Sequence, residues 1–377
     1  MKNKLRLFYQ KKPLLVLFVV WSFVQAFLIN KYGIVTTNEA IKYKREAFNW
    51  ILHKNFSEQK YIFYSAYIFI HVLFIKLGIE MVGVYLFQLL VNLVASFFFY
   101  KTAVTIYKNN SVAFIAALLL ILCFSWQYWT VCLYSESFFC SLVIIFTYCL
   151  FGISKTNKLK YLYAVLVFCI LLCARPAGIF FIPVIAWLFV FRLIEVKRLP
   201  SAVLIMLCIS AFFLWLLYYE MNSSADFNFI KPFVQQNVIC DVPYKAISKQ
   251  TNYDDTVSGV LLYIKQNPFD FLKLCTLRFI AFWSLTRSFY SEAHNWMLRL
   301  FFYPLYFFAL IKLRRQIKFN CYFIVYCLSV LIVFTISVML TCDEWSNRFI
   351  MPVLPIIILL AAYGLFKLLP KRNKTIL

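Results

Sequence analysis

Apolar residues gather in twelve runs along the 377-residue chain, at 14–29, 61–77, 82–106, 112–126, 138–153, 161–173, 177–191, 202–219, 271–285, 296–311, 321–340 and 349–366. A membrane span needs about 20 mostly apolar residues, so the pattern predicts an all-α polytopic membrane protein. One stretch reads differently. In 36–52 the apolar residues Ala40, Ile41, Ala47, Phe48, Ile51 and Leu52 recur at helical spacing, with Lys42, Arg45, Glu46 and Asn49 on the other faces. That spacing predicts an amphipathic helix lying in the membrane plane.

Charge in the loops decides which runs cross. Two short runs carry charge themselves, Lys76 in 61–77 and Lys273 and Arg278 in 271–285. Placing both on the outer face as juxtamembrane or re-entrant helices leaves about ten crossings and puts both termini on one side. The segments on that side are then 1–13, 107–111, 154–160, 192–200, 312–319 and 367–377. They hold just over half of the 38 Lys and Arg, and Glu195 alone of the 15 acidic residues. Lys and Arg concentrate in short cytoplasmic loops, so this side, with both termini, is predicted to be cytoplasmic. Irregular backbone at membrane depth is tolerated where it lines a cavity, as a re-entrant segment would. The outer face receives two long loops, about 30–81 and 220–295, and long ordered loops usually carry function. No linker, repeat or low-complexity tract divides the chain, so 1–377 reads as a single domain. The N-terminus resembles a signal peptide without a small-x-small cleavage site, which predicts an uncleaved first span.

Composition supports this picture and narrows the function. The chain is 63% hydrophobic, 20% aromatic and 14% charged, with mean hydropathy +0.79, where soluble domains are about a quarter charged. A net charge of +23 would suggest nucleic acid in a soluble protein. Here the basic residues sit in clusters between apolar runs and set orientation, so no nucleic-acid partner is expected. The 12 Cys lie mostly in apolar runs, with no C-x-x-C pair and no Cys/His zinc spacing. Cys240 and Cys342 fall in loops, where a disulfide between them is one option. No G-x-S-x-G, P-loop or H-E-x-x-H motif occurs. An active site on the outer face, away from ATP, must draw its energy from the substrate, and a lipid-linked activated donor meets that demand.

Six residues are candidates for chemistry. Glu39 is the first acidic residue of the chain, in the first turn of the amphipathic helix. Thr36-x-x-Glu39 also matches a capping box, in which the Glu reaches back to a backbone N–H; a carboxylate there can both cap and face a pocket. Glu136, in YSESFF, stands at the outer mouth between two runs, where an ionisable group entering a span marks function or an interfacial carboxylate. Two carboxylates on one face suit a general base and an electrostatic stabiliser or divalent-cation ligand, so Glu39 and Glu136 are the candidate catalytic and metal residues. Arg175, before the helix-breaking Pro176, and Arg348, in SNRFIMPVLP, suit phosphate or act as interfacial anchors. Asp343 and Glu344 stand close enough in sequence to pair with Arg348. His294, with Tyr290 and Asn295 in SFYSEAHNW, is either a substrate-binding or a structural histidine.

Several of these stretches resemble the GT-C superfamily of integral membrane glycosyltransferases, and within it the family 39-like group of protein O-mannosyltransferases and lipid A aminoarabinose transferases. NEAIKYKREA resembles the family's Asp-Glu followed by an aromatic residue and Ala in the first outer loop, and SAYIFIHVLFIKLG its juxtamembrane helix. YSESFF resembles the acidic second outer loop. ARPAGIFFIPV and NRFIMPVLPIIILLAAYGL resemble two further segments, and NPFDFLKLCTLRFIAFWSLTRSFYSEAHN a bacterial version of the region before the later spans. The resemblance covers nearly the full chain through short, degenerate motifs. It implies a GT-C-like fold, a polyprenyl-phosphate-sugar donor, an acceptor reached from the extracytoplasmic face and an acidic base. Asn38 stands where the family has Asp, so the base is Glu39 or Glu136.

The expected activity is inverting sugar transfer to a lipid, glycan or protein acceptor at the outer face of the cytoplasmic membrane. Glu39 would act as base, Glu136 as support for the acceptor or a divalent cation, and Asn38, Arg175, His294 and Arg348 as substrate or phosphate ligands. The alternatives are a lipid-linked glycan flippase or transporter, which would place ionisable residues near the midplane and often show an internal repeat, and a surface-polysaccharide polymerase.

Overall fold

The computed structural model describes residues 12–153, 157, 159–196, 200–201, 204, 208, 230–240, 242, 253–311, 313–314, 316 and 320–368. Regular structure among them is helical, joined by isolated β-bridges. The longer helices are α1 (Pro13–Tyr32), α2 (Glu39–His53), α3 (Ser65–Lys76), α4 (Glu80–Tyr107), α5 (Asn110–Leu122), α6 (Ser135–Thr147), α7 (Leu159–Leu172), α8 (Phe181–Glu195), α9 (Val257–Gln266), α10 (Pro268–Ser284), α11 (Glu292–Leu310), α12 (Cys321–Leu340) and α13 (Leu354–Leu368).

Local chemistry sets the boundaries. Pro13 opens α1, where its missing N–H and fixed φ suit the first helical position, and Gly33 closes it at φ +63°, a conformation that favours glycine. Between α4 and α5 the chain turns in two residues. Lys108 takes the left-handed conformation and returns its N–H to Val104 O at 2.8 Å, and the Asn109 side chain accepts from Ser111 N and Val112 N.

Five helices are long and apolar enough to cross a membrane: α1, α4, α6 with its π-helical extension (Ser135–Gly152), α8 with the preceding 3-10 turn (Pro176–Glu195), and α12. A sixth span results if α5 and Phe124–Thr130, bent by 62°, count as one. Exposed Leu328, Ile332, Ile336 and Leu340 repeat every fourth residue along α12, and Leu15, Val19, Phe23 and Phe27 do so along α1. Such oily outward faces belong in lipid. The protein is a polytopic membrane protein of helices.

The expected ten crossings are not all met by these helices. Most of the run 202–219 lies outside the described residues. α7 and α13 have 14 and 15 residues, about 21–23 Å of helix against a hydrocarbon core of about 30 Å. α11 carries Pro304 inside and Glu292 and Arg299 in its length. The two runs expected on the outer face also fall short: α3 has 12 residues, about 18 Å, and α10 has 17 residues with Asp270, Lys273 and Arg278.

Contacts divide the chain into two compact units. The first holds Met1–Ile179, Pro304–Phe323 and Leu354–Leu377; the second holds Phe180–Tyr303 and Ile324–Val353. In the first, α5 packs against α1, α4 and α13, and α6 lies between α4 and α7. Apolar on every side, α13 is buried from Leu354 to Gly364. Gly364 permits this, because a Cβ there would stand 1.9 Å from Phe308 O. The Tyr107 hydroxyl lies 3.0 Å from Leu359 O and 3.1 Å from Gln316 Oε1, tying the end of α4 to the same helix. At the other end α2 packs on α3 and α3 on α4.

The amphipathic helix expected at 36–52 forms as α2. Its inward face is Ala40, Tyr43, Glu46 and Ala47. Ile41, Phe48 and Leu52 point outward as an exposed apolar stripe, which suits a helix resting on a membrane. Glu46 is fully buried and accepts from Ser57 N at 3.0 Å and Ser57 Oγ at 2.6 Å, fastening the α2–α3 connection.

In the second unit, Ile230, Phe233, Tyr263 and Leu274 make a small core over α9 and α10. Cys240 and Cys342 form a disulfide. Bridge bonds run beside it, from Cys240 N to Asp343 O at 2.7 Å and from Asp343 N to Val238 O at 2.9 Å. Arg278, fully buried on α10, donates to Asn237 O, Pro232 O and Met339 O at 2.9–3.1 Å and lies over the Phe233 ring. Arg278 and the disulfide together pin residues 230–240 to the end of α12.

Candidate functional site

Two loops are stitched together before the candidate residues begin. Val35 N donates to Val131 O at 2.8 Å and Leu133 N donates to Val35 O at 3.0 Å. This parallel bridge between Val35 and Cys132 sets the start of α2 beside the start of α6. Asn38 caps α2 through its backbone, at φ +53° and with no side-chain bond to the helix. Its side chain and that of Thr37 lie beside the Tyr134 hydroxyl. The capping box of Thr36 with Glu39 therefore does not form. Glu39 is half-buried and pairs with Lys42 at 3.1 Å, one turn along the helix. Glu39 and Tyr43 stand four residues apart, on neighbouring turns of one helix face.

Tyr43 leads to the second carboxylate. Its hydroxyl is 3.1 Å from Ser135 Oγ, and the next residue, Glu136, is 1% exposed and bonded to Arg175 at 2.6 Å. Arg175 stands where the chain leaves α7 and Pro176 begins a 3-10 turn. Ala66 N, at the start of α3, donates to Cys173 O at 2.9 Å and holds that corner. Burial opposes the Arg175 charge, but Glu136, Tyr64 and Tyr43 outweigh it and raise its pKa above the ordinary value. Tyr43 touches the rings of Tyr64 and Tyr67. Burial first, and Glu136 among the nearby groups, push the Tyr43 and Tyr67 hydroxyls well above the usual tyrosine range, so both stay neutral. Tyr67 is itself fixed by Gln88, whose amide donates to Cys132 O at 2.9 Å. The result is a buried ion pair walled by neutral phenols.

Arg348 and His294 fall in the second unit. Arg348 is held by Glu344 at 3.0 Å, as the sequence allowed, whereas Asp343 goes to a different arginine, Arg287, at 2.5 Å. Burial raises the Asp343 pKa even though Arg287 opposes the shift. Asn295 brackets Arg287, accepting from its N–H at 3.1 Å and donating to its carbonyl at 2.9 Å. The Tyr290 hydroxyl donates to Trp345 O at 2.5 Å, and its ring stacks flat on His294 at 4.5 Å. Burial lowers the His294 pKa. Two non-glycine residues here have left-handed backbone, Leu285 at φ +61° and Asn347 at φ +59°. They are joined by a bond of 2.6 Å from Asn347 Nδ2 to Leu285 O, a local strain of the kind that collects at functional sites.

Of the six candidates, then, Glu136 and Arg175 meet directly. Asn38 and Glu39 stand on the loop and helix tied to the same corner, and His294 and Arg348 belong to a separate cluster. Sequence reasoning passed over Tyr43, Tyr67, His71 and Arg287. A signal existed for two of them: Tyr43 follows Glu39 by four residues, and His71 interrupts an otherwise apolar run. Among the described residues no three His, Cys, Asp or Glu side chains group to hold a metal ion. The two carboxylates named as metal candidates are each engaged by a cation, Lys42 and Arg175. The chain matches no family model, and no curated protein or solved structure is significantly similar to it.

Proposed function

We propose that this membrane protein is a glycosyltransferase that moves a sugar from a polyprenyl-phosphate donor to an acceptor on the extracytoplasmic face, with inversion. The carrying observation is the buried Glu136–Arg175 pair, walled by Tyr43 and Tyr67, with the Glu39 end of α2 bonded alongside. In this reading Glu39, half-buried and beside the corner, takes the proton of the acceptor hydroxyl. The oxygen attacks the anomeric carbon as its bond to the lipid phosphate breaks, and the phosphate departs as an anion. Arg175 offsets the charge that develops there, Glu136 holds Arg175 in place, and Asn38 contacts substrate. A divalent cation is an optional aid and no step depends on it.

The Cys240–Cys342 disulfide supports the assigned side, since disulfides persist in oxidising compartments outside the cytoplasm. The charge pattern of the loops supports the same orientation, with both termini cytoplasmic. The reading retains about ten crossings and a GT-C-like arrangement, with α7, α11 and α13 among them. The test is turnover. Purified protein with a polyprenyl-phosphate sugar should transfer the sugar, and Glu39→Gln should abolish it; a wild-type rate in that variant removes the assigned base.

A further inference from the structure

A histidine in an apolar run is unfavourable to bury unless its ring nitrogens find partners. His71, on α3, is 1% exposed. Its Nδ1 lies 3.3 Å from Oε1 of Glu80, in the first turn of α4. The other Glu80 oxygen is 2.7 Å from Lys44 Nζ on α2. One carboxylate thus joins three helices and fixes the ring. An ionised carboxylate only accepts, so when the imidazole is neutral its proton sits on Nδ1 and Nε2 is a bare acceptor. That Nε2 is buried and has no hydrogen-bond partner among the described residues.

The ring belongs to the corner that holds the ion pair. It is T-shaped against Tyr67 at 5.1 Å and 6.4 Å from Tyr43. Both phenols are engaged elsewhere, Tyr67 by Gln88 and Tyr43 by Ser135. An acceptor lone pair next to the Glu80 carboxylate disfavours a phosphate and calls for a neutral donor. Hydroxyls are the donors that a sugar supplies in number.

We infer that His71 is a hydroxyl-binding residue of this site, with Nε2 accepting from a hydroxyl of the donor sugar and Glu80 setting the tautomer. The inference rests on the sugar-transfer reading and names a contact that reading lacked. Removing the acceptor should weaken sugar binding more than it slows the chemical step.

The chain has three histidines, so 15N NMR of histidine-labelled protein in nanodiscs resolves His71 by comparison with His71→Asn. The neutral Nδ1–H form is expected, and Glu80→Gln should erode it. The Nε2 resonance should shift on adding a member of a panel of polyprenyl-phosphate hexoses, N-acetylhexosamines and pentoses, and not on adding polyprenyl phosphate without sugar. In turnover, His71→Asn and His71→Gln should raise KM by about tenfold with little change in kcat. An Nε2–H tautomer, no sugar-dependent shift across the panel, or an unchanged KM overturns the inference. If wild-type protein turns over no donor, the transfer reading falls, while the tautomer and the sugar-dependent shift still decide the role of His71.

Discussion

At the scale of single residues, the candidate site is anchored by the buried Glu136–Arg175 pair, in which the side chains are 1% and 9% exposed. Breaking a buried pair from one side leaves an uncompensated charge, which destabilises by about 3–5 kcal/mol, whereas replacing both partners with apolar residues of similar volume is often near neutral. Glu136→Gln should therefore unfold at markedly lower temperature than wild type in detergent, and the double variant Glu136→Leu/Arg175→Met should recover much of the loss while remaining inactive. Equal stability of Glu136→Gln and wild type would mean that the pair is solvated. His294 gives a pH signature. Burial depresses its folded pKa, so its neutral form is favoured by folding. Its contribution is present above the unfolded value of about 6.5 and is lost as pH falls through the folded value. Thermal stability should decline on acidification below about pH 6.5, and His294→Gln should flatten that part of the profile.

At the scale of elements, what was legible in the sequence was periodicity, and what was not was partner choice. The amphipathic spacing of 36–52 correctly announces α2, because a surface helix must segregate its faces. It misassigns Glu46 to a polar face, because a buried Ser57 bond cannot be read from spacing. The capping box fails for a similar reason. Asn38 adopts a positive φ and caps the helix itself, so Thr36 falls outside it. Glu136 and Arg175 stand out in sequence as charges at run ends, but 39 residues separate them and nothing in the pattern joins them. Arg278 was visible only as a reason for 271–285 not to cross. In the fold it serves three carbonyls at once. Arg278→Met strands these acceptors and should destabilise the second unit by about 3 kcal/mol or more. Arg278→Lys, with a point charge in place of the planar fork, should restore only part of it. Hydrogen exchange confined to residues 230–240 and the end of α12 would report the loss.

At the scale of the whole molecule, the apolar runs gave membrane character directly, since length and hydropathy are the physical requirements of a span. The number of crossings was less legible. A run such as 349–366 reads as one apolar stretch, yet in the fold its first residues form a 3-10 turn and α13 starts at Leu354. Side, by contrast, is set by charge and can be tested through the disulfide. Cys240 and Cys342 are 102 residues apart, and a link closing so long a loop contributes about 2–5 kcal/mol. In intact cells a membrane-impermeant maleimide should label these two cysteines only after external reduction. Labelling that requires permeabilisation would place them in the cytoplasm and reverse the orientation.

The most direct test of the account is transfer itself. Wild-type protein in nanodiscs is given radiolabelled polyprenyl-phosphate sugars, with membranes of a strain lacking the protein as the acceptor source, and is compared with Glu39→Gln. The account predicts label moving from the lipid donor to an acceptor, and loss of at least about 100-fold in rate in the variant, the usual effect of removing a general base. Label that stays on the donor with wild-type protein, or the same rate in Glu39→Gln, would contradict it.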